Sequence, residues 1–181
     1  YGATGFTGQL VAEYLAAHYK GDANLKWAMA GRSKDKLASV RDAIGAPADT
    51  PLIVADASDP VSLKAMVAQA KSVISTVGPY QFYCNDLIAE CVASGVDYFD
   101  LCGEPLWMRQ MIDKHEGAAK ASGARIVFSC GFDSVPFELG AFYVQEEARR
   151  VFGAPAARIK GRVRDMRGTL SGGTAASAKA T

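Results

Sequence analysis

Histidine, excess charge and long apolar runs are all scarce in this sequence, and each absence excludes a class of function. Only 2 of the 181 residues are histidine, and the four cysteines, Cys84, Cys91, Cys102 and Cys130, form no C-x-x-C pair. A zinc site is therefore not expected, and we interpret the cysteines as reduced thiols of a cytoplasmic protein. A formal net charge of +1 gives no strong field for nucleic acid or an anionic membrane. No apolar run approaches the roughly 18 residues of a membrane span.

What is present is a regular alternation of apolar runs with segments of helical periodicity. The runs are continuous rather than alternating in polarity, which is typical of parallel strands covered on both faces. The sequence therefore predicts an α/β protein with a doubly wound parallel sheet. The predicted strands are residues 25–32, 50–56, 72–78, 97–101, 124–130 and 158–166, and the predicted helices are residues 9–19, 34–44, 60–70, 85–94, 106–122 and 136–151.

Three glycines spaced three apart, Gly2, Gly5 and Gly8, lie directly before the first predicted helix. A G-x-x-G-x-x-G loop at a helix N-terminus is a variant of the dinucleotide-binding fingerprint. In that interpretation Gly2 permits the tight turn, Gly5 lets the backbone approach a pyrophosphate, and Gly8 lets the helix pack closely. The helix N-terminus attracts phosphates, and the hydroxyls of Thr4 and Thr7 can donate to them. The alternative is a glycine-rich turn that holds no ligand.

The end of the next predicted strand indicates which dinucleotide fits. An NAD-binding loop is usually followed, about 20 residues on, by an Asp or Glu that binds the ribose. Here the strand ends in Arg32 and Ser33, with no acid. Because a guanidinium can bind a 2′-phosphate bidentately and a serine can donate to it, we predict NADP rather than NAD. The alternative is that Arg32 is a solvated surface residue.

Two further strand ends complete the predicted site, since ligands of doubly wound sheets lie across the carboxyl ends of the strands. Asp56 is placed to accept a hydrogen bond from the adenine amino group, and Ala57 to donate its backbone N–H. Asp56 could instead cap a turn. The small residues of "STVGPY", residues 75–80, would let the nicotinamide ribose lie close to the backbone.

Five segments occur here in an order that resembles a known family: "GATGFTG", "AGRS", "STVGPY", "YFDLCGE" and "GFDSVPFELG". Together they are similar to the saccharopine dehydrogenase-like oxidoreductases, and within that family to the mycobacterial trans-acting enoyl reductase branch. The resemblance implies three groups of cofactor-binding residues. These are Gly2, Thr4, Gly5, Phe6, Thr7 and Gly8 for the pyrophosphate, Arg32 and Ser33 for the 2′-phosphate, and Thr76, Val77 and Gly78 for the nicotinamide side.

The resemblance also implies a domain organisation and an activity. A Rossmann-type dinucleotide-binding domain, residues 1–153, would be followed by the start of a substrate and dimerisation domain, residues 154–181. The activity would be transfer of a hydride from NADPH to the carbon–carbon double bond of a lipid-like, polyketide-derived precursor. A homodimer formed through the second domain and peripheral association with a membrane are compatible with it, and no nucleic-acid partner is expected.

The sequence departs from the family pattern at both ends. Family members are much longer, and the strand that should precede the glycine-rich loop is missing apart from Tyr1. That strand is the central one in this fold, so its absence would leave buried backbone groups of both neighbours unpaired. We therefore expect the sequence to be a fragment that lacks the first strand and most of a second domain.

No catalytic residue is assigned from the sequence. Tyr80, Cys102, Glu104 and Asp133 lie near strand ends, but packing, turn formation and helix capping explain them more simply. Two other functions stay open beside the enoyl reductase. One is a saccharopine-type oxidoreductase acting on an amino acid-derived imine, and the other is a non-catalytic NADP-binding scaffold protein.

Overall fold

The computed structural model describes residues 1–132, 134–165, 167–168 and 171–180. Among these residues, helices and short strands alternate along the chain. The strands are β1 (Met29–Gly31), β2 (Leu52–Val54), β3 (Ser72–Ser75), β4 (Asp97–Asp100) and β5 (Ile126–Val127). The helices are α1 (Phe6–His18), α2 (Lys34–Ala43), α3 (Pro60–Val67), α4 (Tyr80–Tyr83), α5 (Asn85–Ser94), α6 (Pro105–Ser122), α7 (Val135–Phe152) and α8 (Gly172–Ala180).

The strands pair in parallel throughout the described residues, which confirms the predicted fold class. β1 pairs with β2, while β4 lies between β3 and β5. A helix connects each strand to the next one in the chain, as parallel pairing requires. The strands are shorter than the apolar runs that predict them, because the runs continue into the loops that flank the strands.

The two groups of strands are joined by the first residues of the chain rather than by direct pairing of β1 with β3. The Tyr1 backbone nitrogen donates to the Ile74 oxygen at 2.6 Å, and the Tyr1 oxygen accepts from the Thr76 nitrogen at 2.9 Å. On the other side, the Gly2 nitrogen donates to the Ala30 oxygen at 2.9 Å. This is the central position that the sequence predicts for a strand before the glycine-rich loop.

An apolar cavity of about 610 Å³ extends from this central position along α1. Leu10 and Tyr14 line it from α1, Leu25 from the loop before β1, and Ile74 from β3. All four side chains are at least partly exposed, with Leu10 at 50% and Tyr14 at 55%. The face of α1 that would cover a central strand is therefore uncovered.

The main core lies where α3, α5 and α6 pack over the strands. Leu63 of α3, Leu87 and Ile88 of α5 and Tyr98 of β4 are fully buried, and α5 packs against both α3 and α6. The four cysteines are free thiols, as expected.

Capping residues confirm two helix starts that the sequence predicts. The Ser33 hydroxyl accepts from the Lys36 nitrogen at the start of α2, and Asp59 accepts from the Val61 nitrogen before Pro60 of α3. Such caps satisfy backbone N–H groups that have no partner within the helix. The first helix begins at Phe6, three residues before its predicted start.

The last predicted strand, residues 158–166, is wrong over the residues that the structure describes. Residues 158–165 form no regular element and are exposed, and Met166 lies outside the described residues. Arginine or lysine occupies every second position, residues 158, 160, 162 and 164, so a strand here would have one strongly cationic face and could not be covered on both sides.

Two helices, α4 and α8, were not predicted. Across the described ranges, no helix is both long and apolar enough to cross a membrane.

Candidate functional site

The three glycines of the first loop have different surroundings. Gly2 has a φ of 90°, and a Cβ atom there would lie 2.7 Å from both Thr76 Oγ1 and Val77 Cγ2. A Cβ on Gly8 would lie 2.1 Å from the Gly2 oxygen. A Cβ on Gly5 would meet only that oxygen, at 3.4 Å. Gly2 and Gly8 are therefore required by packing within the protein, whereas the space beside Gly5 is open.

That open space lies at the N-terminus of α1. Gly5 is the N-cap, no side chain caps the helix, and the first turn contains no acidic residue. The first helical hydrogen bond runs from the Gln9 nitrogen to the Gly5 oxygen, so the N–H groups of Phe6, Thr7 and Gly8 have no acceptor within α1. Such a helix end carries a partial positive charge and is suited to a diphosphate.

The other loop residues fix the loop or border its opening. The Gln9 side-chain amide donates to the Thr4 oxygen at 3.0 Å, which holds the loop against the helix. Thr4 and Thr7 are half-buried, whereas the Phe6 side chain is 70% exposed. The predicted donor role of the two threonine hydroxyls stays a prediction.

Arg32 and Ser33 directly follow β1, at the carboxyl end of the strand, as predicted. Arg32 is exposed, and its charge is close enough to Asp56 to contribute to lowering the pKa of that carboxyl. The Ser33 hydroxyl caps α2 at a distance of 3.4 Å from the Lys36 nitrogen. A cation and a hydroxyl are thus available at the end of β1, next to the end of β2.

Asp56 caps its own turn, which is the alternative that the sequence left open. Its Oδ1 accepts from the Ser58 nitrogen at 2.9 Å and from the Ser58 hydroxyl at 2.8 Å, and these bonds lower the pKa of Asp56. Burial raises the pKa of the Tyr1 phenol to about 12, and the nearby Ala57 N–H opposes that rise. Contacts of Asp56 and Ala57 with adenine remain predictions.

The predicted nicotinamide side lies at the carboxyl end of β3. The Thr76 hydroxyl donates to the Tyr1 oxygen at 3.2 Å and to the Gly2 oxygen at 3.3 Å. The Cys84 thiol donates to the Val77 oxygen at 3.4 Å, and Gly78 precedes a cis proline. The loop of Thr76, Val77 and Gly78 is therefore fastened to the glycine-rich loop, so the two predicted subsites are adjacent.

Tyr80 packs in the core, as the sequence interpretation favoured. Its side chain is buried, with its ring centroid 6.1 Å from that of Trp107. Burial is the main cause that raises the pKa of the phenol well above its usual value. Asp133 lies outside the described residues.

The carboxyl groups of Asp100 and Glu104 are both buried, and the sequence did not predict a role for either of them. Asp100 accepts from the Tyr98 hydroxyl and from the nitrogens of Cys102 and Ser129, and burial raises its pKa. Glu104 accepts from the backbone nitrogens of Tyr80 and Gln81. The signal was present in "YFDLCGE", where Asp100 ends β4 and Glu104 follows four residues later.

Comparison with known proteins adds a family and several relatives. The family model described as the saccharopine dehydrogenase NADP binding domain matches residues 1–127. A Mycobacterium tuberculosis protein named provisionally as a trans-acting enoyl reductase is 48% identical over 178 residues, which are 98% of this chain and 42% of that protein. The trans-acting enoyl reductase of Mycobacterium leprae is 50% identical over 143 residues, which are 78% of this chain and 34% of that protein. The chain thus spans less than half the length of these relatives.

Among solved structures, apo saccharopine dehydrogenase (L-Glu forming) from Saccharomyces cerevisiae has a similar fold. Its TM-score is 0.64 at 21% sequence identity, over 82% of this chain and 30% of that chain. At this identity the likeness concerns the fold alone, and it agrees with the parallel α/β arrangement described above.

Proposed function

Because the chain belongs to the saccharopine dehydrogenase NADP-binding domain family, we propose that it is the cofactor-binding part of an NADPH-dependent enoyl reductase. NADP is the cofactor of this family, in agreement with the prediction from the sequence. The enoyl substrate is proposed from the names of the mycobacterial relatives. We propose a lipid-like or polyketide-derived precursor as that substrate, and residues 154–181 as the start of a substrate domain.

One observation carries the cofactor site: the uncapped N-terminus of α1 opens beside Gly5, where a Cβ would meet only the Gly2 oxygen. The residues present fit a dinucleotide phosphate. N–H groups of the first turn of α1 would bind the diphosphate. Arg32 and Ser33 would bind the 2′-phosphate, since a guanidinium matches a phosphate bidentately and no acid follows β1 to repel it.

The chain's own contribution to the reaction is position. NADPH supplies the hydride when it is bound, and the protein sets where the nicotinamide lies. The loop of Thr76, Val77 and Gly78 would border the nicotinamide, and its bonds to Tyr1 and Gly2 would fix its distance from the diphosphate. No residue of the described chain is assigned as the proton donor.

The cofactor assignment is tested by titrating the full-length protein with NADPH and NADH, before and after Arg32→Ala. We expect NADPH to bind more tightly, and Arg32→Ala to weaken NADPH by about 1.5–3 kcal/mol, the usual value for hydrogen bonds to charged groups. NADH affinity should be unchanged. Arg109→Ala is a matched control, because Arg109 is an exposed arginine of α6 that pairs with Asp113 on the same helix. Equal affinity for the two nucleotides, or an unchanged NADPH affinity in Arg32→Ala, would contradict the 2′-phosphate assignment.

The substrate class is tested separately by following NADPH oxidation with two kinds of acceptor. We expect turnover with an α,β-unsaturated acyl thioester and none with an imine formed from an amino acid and an oxo acid. Turnover of the imine alone would replace the enoyl proposal with the saccharopine-type one. NADPH binding without turnover of either acceptor would support a non-catalytic NADP-binding role.

A further inference from the structure

Glu104 is a buried carboxyl group that does not cap its own helix. It is the N-cap residue of α6, yet its side chain makes no capping bond there. An acid at this position usually accepts from its own helix. Here the side chain is only 1% exposed and its oxygens are directed at other segments of the chain.

Three donors from two distant segments converge on this carboxyl group. Oε1 accepts from the Tyr80 nitrogen and Oε2 from the Gln81 nitrogen, each at 2.9 Å. The Ser177 hydroxyl of α8 donates to Oε1, also at 2.9 Å. Hydrogen bonds to a carboxylate are stronger than neutral ones, and a buried carboxylate without them would be costly.

The segment held in this way is the one that borders the predicted nicotinamide side. Tyr80 and Gln81 directly follow Gly78 and Pro79, so the two bonds fix the carboxyl-side end of the loop after β3. The Thr76 hydroxyl fixes its other end against Tyr1 and Gly2. The loop is thereby fastened at both ends, with Glu104 as one of the two anchors.

Gly78 lets α8 approach the same loop. A Cβ atom on Gly78 would lie 3.4 Å from Ser177 Oγ, at ordinary contact distance, and 3.3 Å from the Tyr80 ring. Ser177 therefore lies beside the loop and donates a hydrogen bond to its anchor, Glu104. The segment that follows α7 and the nicotinamide-side loop share one hydrogen-bonding centre.

We propose that Glu104 is a positioning residue for the nicotinamide end of the cofactor, and that Ser177 couples α8 to that position. This inference rests on the proposed NADPH-binding function. It assigns Glu104 no contact with the cofactor or substrate. Its effect is exerted through the backbone of Tyr80 and Gln81, and α8 acts on the loop through the same carboxyl group.

The experiment compares two ligands in the full-length protein. NADPH reports on the whole site, whereas 2′,5′-ADP lacks the nicotinamide and reports on the adenosine end alone. Glu104→Gln keeps the size of the side chain, but one acceptor oxygen becomes an amide that faces a backbone N–H. We expect it to weaken NADPH about tenfold and to shift the emission of bound NADPH, with 2′,5′-ADP affinity within about twofold of wild type.

Ser177 provides a second variant with a conservative control. Ser177→Ala should shift the emission of bound NADPH in the same direction, and Ser177→Thr, which keeps the hydroxyl, should restore the wild-type emission. If Glu104→Gln does not fold, these two variants still test whether the hydrogen bond to the Glu104 carboxyl group affects the position of the nicotinamide. If bound NADPH has the same emission in Ser177→Ala as in Ser177→Thr, the coupling to α8 is overturned.

Two further outcomes separate this inference from the function on which it rests. Equal weakening of both ligands, together with a lower melting temperature, means that Glu104 only stabilises the fold, and unchanged NADPH affinity and emission also overturn its positioning role. If the wild-type protein binds none of NADPH, 2′,5′-ADP and NADH, the proposed function itself is overturned.

Discussion

A Cβ atom on Gly8 would lie 2.1 Å from the carbonyl oxygen of Gly2, a separation that no real Cβ contact adopts. Gly8 belongs to the first helical turn, so the helix and the preceding turn approach too closely for any side chain. Gly5, three residues earlier, has extended backbone with φ −79° and no comparable obstruction. The two glycines therefore differ in whether the protein or the ligand requires them.

Alanine substitutions should separate these two requirements. Gly8→Ala forces the backbone of the loop to move and should lower the free energy of unfolding by about 3 kcal/mol or more. Gly5→Ala should leave the free energy of unfolding within about 1 kcal/mol of wild type, yet weaken NADPH at least tenfold, because its methyl group occupies the space for the diphosphate. Urea unfolding and NADPH titration of both variants measure the difference. Gly5→Ala with unchanged NADPH affinity would mean that no diphosphate lies beside Gly5.

The carboxyl group of Asp100 should make stability depend on acid pH in an unusual direction. Burial raises its pKa above the ordinary value of 3.8 in the folded state, so the folded protein takes up this proton before the unfolded chain does. The stability contributed by Asp100 therefore increases as the pH falls through the raised pKa toward 3.8, and decreases as the pH rises.

Asp100→Asn isolates that contribution, since the other acids are unchanged in the variant. The asparagine oxygen can still accept from the Cys102 and Ser129 nitrogens, as Oδ1 does now, and its amide can face the Tyr98 hydroxyl. We expect the stability of the variant relative to wild type to increase as the pH rises from 3.8 through the raised pKa, and to become constant above it. A difference that is constant from pH 4 to pH 8, measured by urea unfolding, would contradict an elevated pKa.

The four cysteines should differ in reactivity. Burial raises the pKa of Cys84 to about 11 and the pKa of Cys91 and Cys102 to about 12, so these thiols remain protonated near neutral pH. Cys130 is half-buried, and burial raises its pKa to a lesser extent. In the folded protein at pH 8, a thiol reagent should modify Cys130 first, and the other three only after unfolding. Cys130→Ser is the control and should abolish the early phase; an early phase that survives in it would place a reactive thiol elsewhere.

The apolar cavity beside Tyr1 predicts what a strand at this position would add. A strand placed upstream of Tyr1 would pair with both β1 and β3 and cover Leu10, Tyr14 and Ile74. An apolar five-residue extension should raise the free energy of unfolding by on the order of 3 kcal/mol, the value for burying one or two large apolar side chains. A glycine–serine extension of equal length is the control. Equal stability of the two extended chains would mean that the cavity does not receive a strand.

Local signals in the sequence were sufficient for much of the fold. Ser33 and Asp59 cap helices because their side chains reach backbone groups only two or three residues away. The bounds of α5 agree with the prediction, since Gly95 adopts the left-handed conformation that ends it. In contrast, residues 158–165 form no strand. A buried parallel strand needs other elements packed over both of its faces, and local sequence does not reveal whether such elements are there.

The role of Glu104 could not be predicted from local sequence. Its partners Tyr80 and Gln81 lie 24 and 23 residues away, and Ser177 lies 73 residues away. An acid before a proline is an ordinary helix start, and only the folded chain directs its carboxyl group elsewhere. The glycine spacing, by comparison, predicts a cofactor loop from residues that lie within seven positions of one another, and that assignment stays a prediction.

The location of the diphosphate is tested most directly by the backbone amide NMR shifts during titration with NADP⁺. The account predicts that the amides of Phe6, Thr7 and Gly8 change most, together with those of Arg32 and Ser33. Titration with NAD⁺ should leave Arg32 and Ser33 nearly unchanged. Saturable binding of NADP⁺ that leaves the amides of Phe6, Thr7 and Gly8 unperturbed would contradict a diphosphate site at the N-terminus of α1.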